Sequence, residues 1–238
     1  MLAVFKRELK GYFFSPIAYI FMGFFLLITG VFFYAYNIGP AQANYNGMLS
    51  NLMFLFMLTV PILTMRSLSE ERKNKTDQLL LTSPVSVGSV VLGKYFAALA
   101  VFLITLLVSF VYPITLFIYG NPSLLEILTG YFGFFLLGAA LISVGIFISA
   151  LCENQVTSAI VTLVVLLAMF IGAASIIQQL ISVQWINTVL SWFSVYDRYA
   201  NFGQGLLSLP EIFYYISFAA VFVFLTVRTV ERRRWSEV

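Results

Sequence analysis

The residues with the best spacing for chemistry are Gly88-Ser-Val-Val-Leu-Gly93-Lys94-Tyr95, which match seven of the eight positions of a phosphate-binding P-loop. A P-loop works because a strand leads into a glycine-rich turn whose N–H groups cradle phosphate, and because a Ser or Thr after the lysine holds magnesium. Here Tyr95 takes that last position, and the stretch opens an apolar run with no strand pattern before it. Nucleotide binding is therefore not expected, and Lys94 reads as a basic anchor near the cytoplasmic interface. The sequence contains no histidine, which excludes His-based acid–base catalysis and His-ligated metals. Cys152 is the single cysteine, so no intramolecular disulfide forms. No Asp pair lies in an apolar run, which disfavours an intramembrane protease. No ionisable residue is placed firmly inside a span, which disfavours an ion-coupled transporter.

The charges are concentrated instead. None occurs from Gly11 to Met65, and then Arg66, Glu70, Glu71, Arg72, Lys73, Lys75 and Asp77 arrive together. A cluster this sharp belongs in water or against a partner. Ser67 and Glu70 have the Ser-x-x-Glu spacing of a capping box, which predicts a short cytoplasmic helix over about residues 68–81. Ser83-Pro84 marks the start of the next helix, because Ser caps and Pro fits a first turn. On charge alone the island is an ordinary solvated loop.

The elements that must position this island are apolar helices. The 238 residues are 61% hydrophobic and 10% charged, against about 25% charged in soluble domains. This composition predicts a single all-α domain, a polytopic membrane bundle of six transmembrane spans of about 20 residues each, with no room for a soluble catalytic domain. The expected spans are 17–36, 51–65, 88–112, 128–151, 156–174 and 210–227. Residues 1–14 carry Leu2, Phe5, Leu9 and Tyr12 or Phe13 at helical spacing, as an interfacial helix would. No cleavage site follows a short apolar core, so the first span is read as uncleaved. Residues 37–50 read as a loop. Pro61 inside the second span reads as a packing feature. The fourth span carries Gly130, Gly133, Gly138, Ala139, Ala140, Ser143, Gly145 and Ser149, and such small residues predict burial between helices. Ser123 with Glu126 and Ser208 with Glu211 repeat the capping-box spacing at the starts of the fourth and sixth spans.

Residues 175–210 are too long for a structureless connector. Trp185 and Trp192 fall on one helical stripe with Ile177, Leu180, Ile181 and Val189, which predicts an external cap of one or two interfacial or re-entrant helices. The neighbours Asp197 and Arg198 offer the cap a local ion pair.

Two of these segments resemble type-2 ABC exporter permeases. Glu70-Glu71-Arg72-Lys73-Asn74-Lys75-Thr76-Asp77-Gln78-Leu79-Leu80-Leu81-Thr82-Ser83-Pro84-Val85-Ser86 resembles the family's loop between the second and third spans. The family pattern there is roughly acidic-acidic-basic-basic-x-Gly-Thr-x-Glu-Leu-Leu-x-x-x-Pro-Val. Lys75 replaces the usual Gly and Gln78 the usual Glu. Phe202-Gly203-Gln204-Gly205, followed by Tyr214-Tyr215, resembles the family's approach to its last span. The resemblance implies a coupling loop over 66–88 that docks a separate ABC ATPase subunit, which would hold the ATP and magnesium. It places Glu70, Glu71, Arg72, Thr76, Leu79, Leu80 and Pro84 at the contact. No cofactor is expected in this chain. A second permease subunit, identical or a close paralogue, is implied too. Length and the Arg233-Arg234-Trp235 ending are most like the small permeases of gliding-motility and copper-enzyme-maturation operons.

Six spans would put twelve of the thirteen Lys and Arg residues on one side, leaving only Arg198 opposite. That asymmetry places both termini in the cytoplasm and the chain in the cell (inner or plasma) membrane. Arg228, Arg232, Arg233 and Arg234 then anchor it against membrane lipids. The small net charge of +3 gives no reason to expect nucleic-acid binding. The rival class is a non-transporting membrane scaffold or assembly factor.

Overall fold

A computed structural model describes residues 1–75, 86–120, 122–173 and 195–236. The described residues form α-helices: α1 (Leu2–Phe14), α2 (Pro16–Phe33), α3 (Tyr45–Thr64), α4 (Ser69–Lys73), α5 (Val87–Ser109), α6 (Val111–Tyr119), α7 (Leu124–Leu151), α8 (Gln155–Ala173), α9 (Tyr199–Gly203) and α10 (Leu209–Ser236). Among them, five stretches are long and apolar enough to cross a membrane: Pro16–Ile38, Tyr45–Lys73, Val87–Tyr119, Leu124–Leu151 and Leu209–Arg233. The apolar part of α8, Gln155–Phe170, is shorter. At about 1.5 Å per residue it reaches roughly 24 Å, against a hydrocarbon core of about 30 Å.

The glycine-studded α7 is the most buried of these spans and packs against α3, α5, α8, α9 and α10. Its glycines are where neighbours come in. A Cβ on Gly138 would stand 2.1 Å from the Phe102 ring of α5, and one on Gly145 would stand 2.3 Å from the Thr64 hydroxyl of α3. With no apolar drive to associate in lipid, such close approach supplies the packing that holds helices together. Phe25, Phe56, Phe102 and Phe134 meet at the centre, with Phe56 and Phe102 stacked 4.8 Å apart.

Several boundaries differ from the sequence expectation. The segment 37–50 is mostly not a loop. The chain passes from α2 through a π-helical turn, Tyr34–Ile38, and α3 begins at Tyr45, where the Asn44 side chain caps it by accepting from the Gly47 N–H at 2.9 Å. Its polar residues turn inward: Asn46 donates to the Glu126 carbonyl at 2.8 Å, and the hydroxyls of Tyr45 and Tyr131 share a 2.6 Å hydrogen bond. The third span breaks at Phe110 into α5 and α6. Pro113 has no N–H for the carbonyl of Ser109 four residues back, and the Tyr131 hydroxyl donates to that carbonyl instead, at 3.1 Å. The cap that opens α5 is Ser86, whereas Ser83-Pro84 lies outside the described residues. Ser123 caps α7 as expected, and Ser208 bonds Glu211 side chain to side chain.

Candidate coupling site

The expected capping box at Ser67 does not form. The residue preceding α4 is Leu68, and the Ser67 hydroxyl is buried with no hydrogen-bond partner among the described residues. The start of α4 is capped from another helix. Ser149 of α7 accepts from the N–H groups of both Leu68 and Ser69, at 3.1 Å each, and donates to the Met65 carbonyl at 3.3 Å. A helix start needs acceptors for its free N–H groups, and any well-placed hydroxyl supplies one. Glu70 pairs back with Arg66 one turn earlier.

Glu71 turns inward. Its Oε1 lies 2.8 Å from the Lys94 Nζ of α5, and that ammonium also reaches the Ser67 carbonyl at 2.8 Å and Glu8 of α1 at 3.3 Å. Lys94 is only 2% exposed. The expectation of an interface anchor is thus corrected: a long cationic side chain at this position, two turns inside α5, finds its acceptors in the bundle rather than in water. Arg7 bridges Glu8 at 2.7 Å and Glu71 at 3.5 Å, and its hydrogen bond to Glu8 raises the guanidinium pKa further. Nearby, the Tyr12 hydroxyl donates to the Leu63 carbonyl at 2.9 Å, and burial pushes its pKa well above the usual range. Glu8, Tyr12, Ser67, Glu71 and Lys94 line a cavity of about 270 Å³ between α1, α4 and α5.

The same geometry explains the near-match to a P-loop. Gly88 to Tyr95 is helical throughout. Gly93 is small because α1 crosses there, with a Cβ placed 2.9 Å from Val4 and 3.2 Å from the Phe5 backbone nitrogen. Its lysine serves Glu8 and Glu71 rather than a phosphate.

Arg72 faces the end of α7, where it donates to the Leu151 carbonyl at 3.1 Å and pairs with Glu153. Arg233 of α10 donates to the Ala150 carbonyl. Two guanidinium groups thus occupy the carbonyl end of α7, where the helix dipole favours cations. Lys73, Asn74 and Lys75 are exposed. Thr76, Leu79, Leu80 and Pro84 lie outside the described residues.

The residues read as external form a separate cluster at the other end of α7. Trp185 and Trp192 lie outside the described residues. Arg198 stacks on the Tyr214 ring of α10, 4.0 Å from its centroid. The rest of this stretch is packed: Tyr199 donates to the Gly130 carbonyl at 3.2 Å, Tyr215 to the Val195 carbonyl at 2.7 Å, and Phe202 lies against Gly133. Gly205, at φ +78°, makes the turn into α10.

Glu8, Lys94 and Ser149 were missed as members of the inner cluster. The available signal was Gly93-Lys94 itself, a small residue beside a charge on an otherwise apolar helix.

The helical bundle agrees with what sequence comparison finds. A family model for the ABC-2 family transporter proteins matches residues 33–230. The chain belongs to the ABC-2 transporter family. No curated protein matches it. As an ABC-2 permease it is a membrane component of a transport system, and a scaffold without transport is not favoured. The match leaves the gliding-motility and copper-enzyme-maturation likeness as an expectation from length and the chain ending alone.

Proposed function

We propose that this ABC-2 permease is an exporter subunit driven by a separate ATPase, which holds the ATP and magnesium and docks on the segment 66–88. One observation carries this reading. The described part of the segment is fastened on its inner side to α1, α5 and α7, while Lys73 and Lys75 are exposed. A partner pushing on that outer side would move three helices. In this reading α8 is the fifth of six spans, and the uneven distribution of Lys and Arg supports cytoplasmic termini and a cytoplasmic segment in a plasma-membrane protein. Two permease copies complete the unit. The apolar side chains exposed along α10, among them Phe213, Ile216, Val221 and Phe224, offer a face to lipid or to a second copy. Residues 195–203, the described part of the expected cap over 175–210, pack against α7 and α10, which supports closure of the outer end by that segment.

The test is Lys73→Glu combined with Lys75→Glu. ATPase recovery with the purified permease should fall at least tenfold while membrane insertion and dimer crosslinking stay unchanged. Full recovery of the ATPase with this variant would reject the docking site.

A further inference from the structure

We propose that Lys94 is a positioning residue for coupling, the link that makes α1, the segment 66–73 and α5 move as one body. The proposal rests on the docking reading above. Lys94 donates to the Ser67 carbonyl and to Glu71 of the segment, and pairs with Glu8 of α1, at 2.8, 2.8 and 3.3 Å. One ammonium thus joins three elements that the chain connects only through long stretches. Its backbone belongs to α5, whose neighbouring Gly93 lets α1 come within van der Waals contact.

Burying such a group is a poor way to gain stability. Taking a lysine and carboxylates out of water costs about as much as their attraction returns, and apolar replacements of similar volume are often neutral or better. The best-attested use of buried ion pairs is to specify a register. Here the register is that of α4 against α1 and α5. Apolar packing would leave these surfaces free to slide, whereas a three-acceptor lysine fixes them. A push on the exposed side of the segment then reaches the outer bundle through α5 and its continuation α6, rather than being lost in local rearrangement.

Two measurements test this. In the purified permease alone, Lys94→Met should speed tryptic cleavage after Arg72, Lys73 or Lys75 at least fivefold. In complex with the ATPase that copurifies with the wild-type chain, Lys94→Met should retain ATPase binding within about twofold but lose most of the stimulation of ATP hydrolysis. Lys94→Arg should keep most of both. If Lys94→Met folds poorly, the triple variant Lys94→Met, Glu71→Gln, Glu8→Gln removes the buried cation and both its carboxylates at once, leaves only the exposed Arg7 to water, and should fold as the wild type does. Loss of stimulation in that folded, ATPase-bound variant supports the link. Normal stimulation in it overturns the link and leaves the docking reading intact. Failure of the wild-type chain to hold any ATPase defeats the docking reading, and the link falls with it.

Discussion

The two ends of α7 are held by different chemistry. At the inner end, besides the Ser149 hydroxyl, the contacts are charges: Arg72 and Arg233 on the terminal carbonyls, Arg72 with Glu153, and beside them Lys94 with Glu8 and Glu71. At the outer end they are hydroxyls and rings: Tyr45 with Tyr131, Tyr131 on Ser109, Tyr199 on Gly130 and Tyr215 on Val195. An ammonium with three acceptors has a donor for each, and so ties three elements at once. A buried hydroxyl bonded to a neighbouring helix joins two elements, and leaving it without a partner costs about 1–3 kcal/mol. The inner end should therefore answer to changes of charge and the outer end to changes of shape.

Charge reversal at the inner end should break this comparison most severely. Glu71→Lys sets a second ammonium against Lys94, which is nearly inaccessible to water. Breaking a buried pair in this way costs about 3–5 kcal/mol. The variant should lose its ATPase because the segment comes off the bundle, and fast tryptic cleavage at 72–75 should accompany that loss. Slow cleavage with normal thermal stability would show that Glu71 does not bear on the segment's hold.

At the outer end, Gly133→Ala brings a Cβ to 2.5 Å from the Cβ and Cγ of Phe202. Those atoms sit close to the α9 backbone and cannot swing away, so overpacking should cost about 1–3 kcal/mol. The apparent melting temperature should drop and external protease should reach residues 195–208 sooner, with no change in cleavage at 72–75. Equal sensitivity at both ends would erase the distinction between them. A milder change, Tyr131→Phe, strips the donor that serves the Ser109 carbonyl at the Pro113 break. It should destabilise by about 1 kcal/mol, and the loss should not respond to salt, unlike loss of the partly exposed Arg7–Glu71 contact.

Much of this was legible in the sequence. The glycines of α7 announced a central helix because small residues in a span have few other uses, and the charge island stood out because nothing else near it could face water. Tyr45 and Asn46 were not read as part of a helix, since polar residues at a span's end look like a loop until their partners on α7 are known. The Ser67 box failed for a related reason. Ser149, 80 residues further along, reached the free N–H groups of α4 first, and spacing along a chain carries no record of that. Lys94 was misread because the rule that places cations at the interface counts side chains one at a time, whereas this one is satisfied by Glu8 and Glu71 on two other elements.

The smallest expected effect uses Cys152, the only cysteine in the sequence. It follows α7 directly, beside the carbonyls that Arg72 and Arg233 occupy. Burial pushes its thiol pKa up, and the two guanidinium groups pull it partway back. Thiolate is the reactive form, so labelling by a maleimide should be slow near neutral pH and climb as pH rises through the raised pKa. Arg72→Gln removes one of the two cations, so the midpoint of that climb should move to higher pH and labelling at a fixed pH below it should fall a few-fold. The same substitution also uncovers the thiol, which would raise the rate at every pH. The pH profile separates these effects, since a lost cation shifts the midpoint and a cleared path raises the plateau. A shifted midpoint places the Arg72 charge at the end of α7. A raised plateau with an unmoved midpoint would mean that Arg72 merely covers Cys152, and the inner end would then owe less to charge than its geometry indicates.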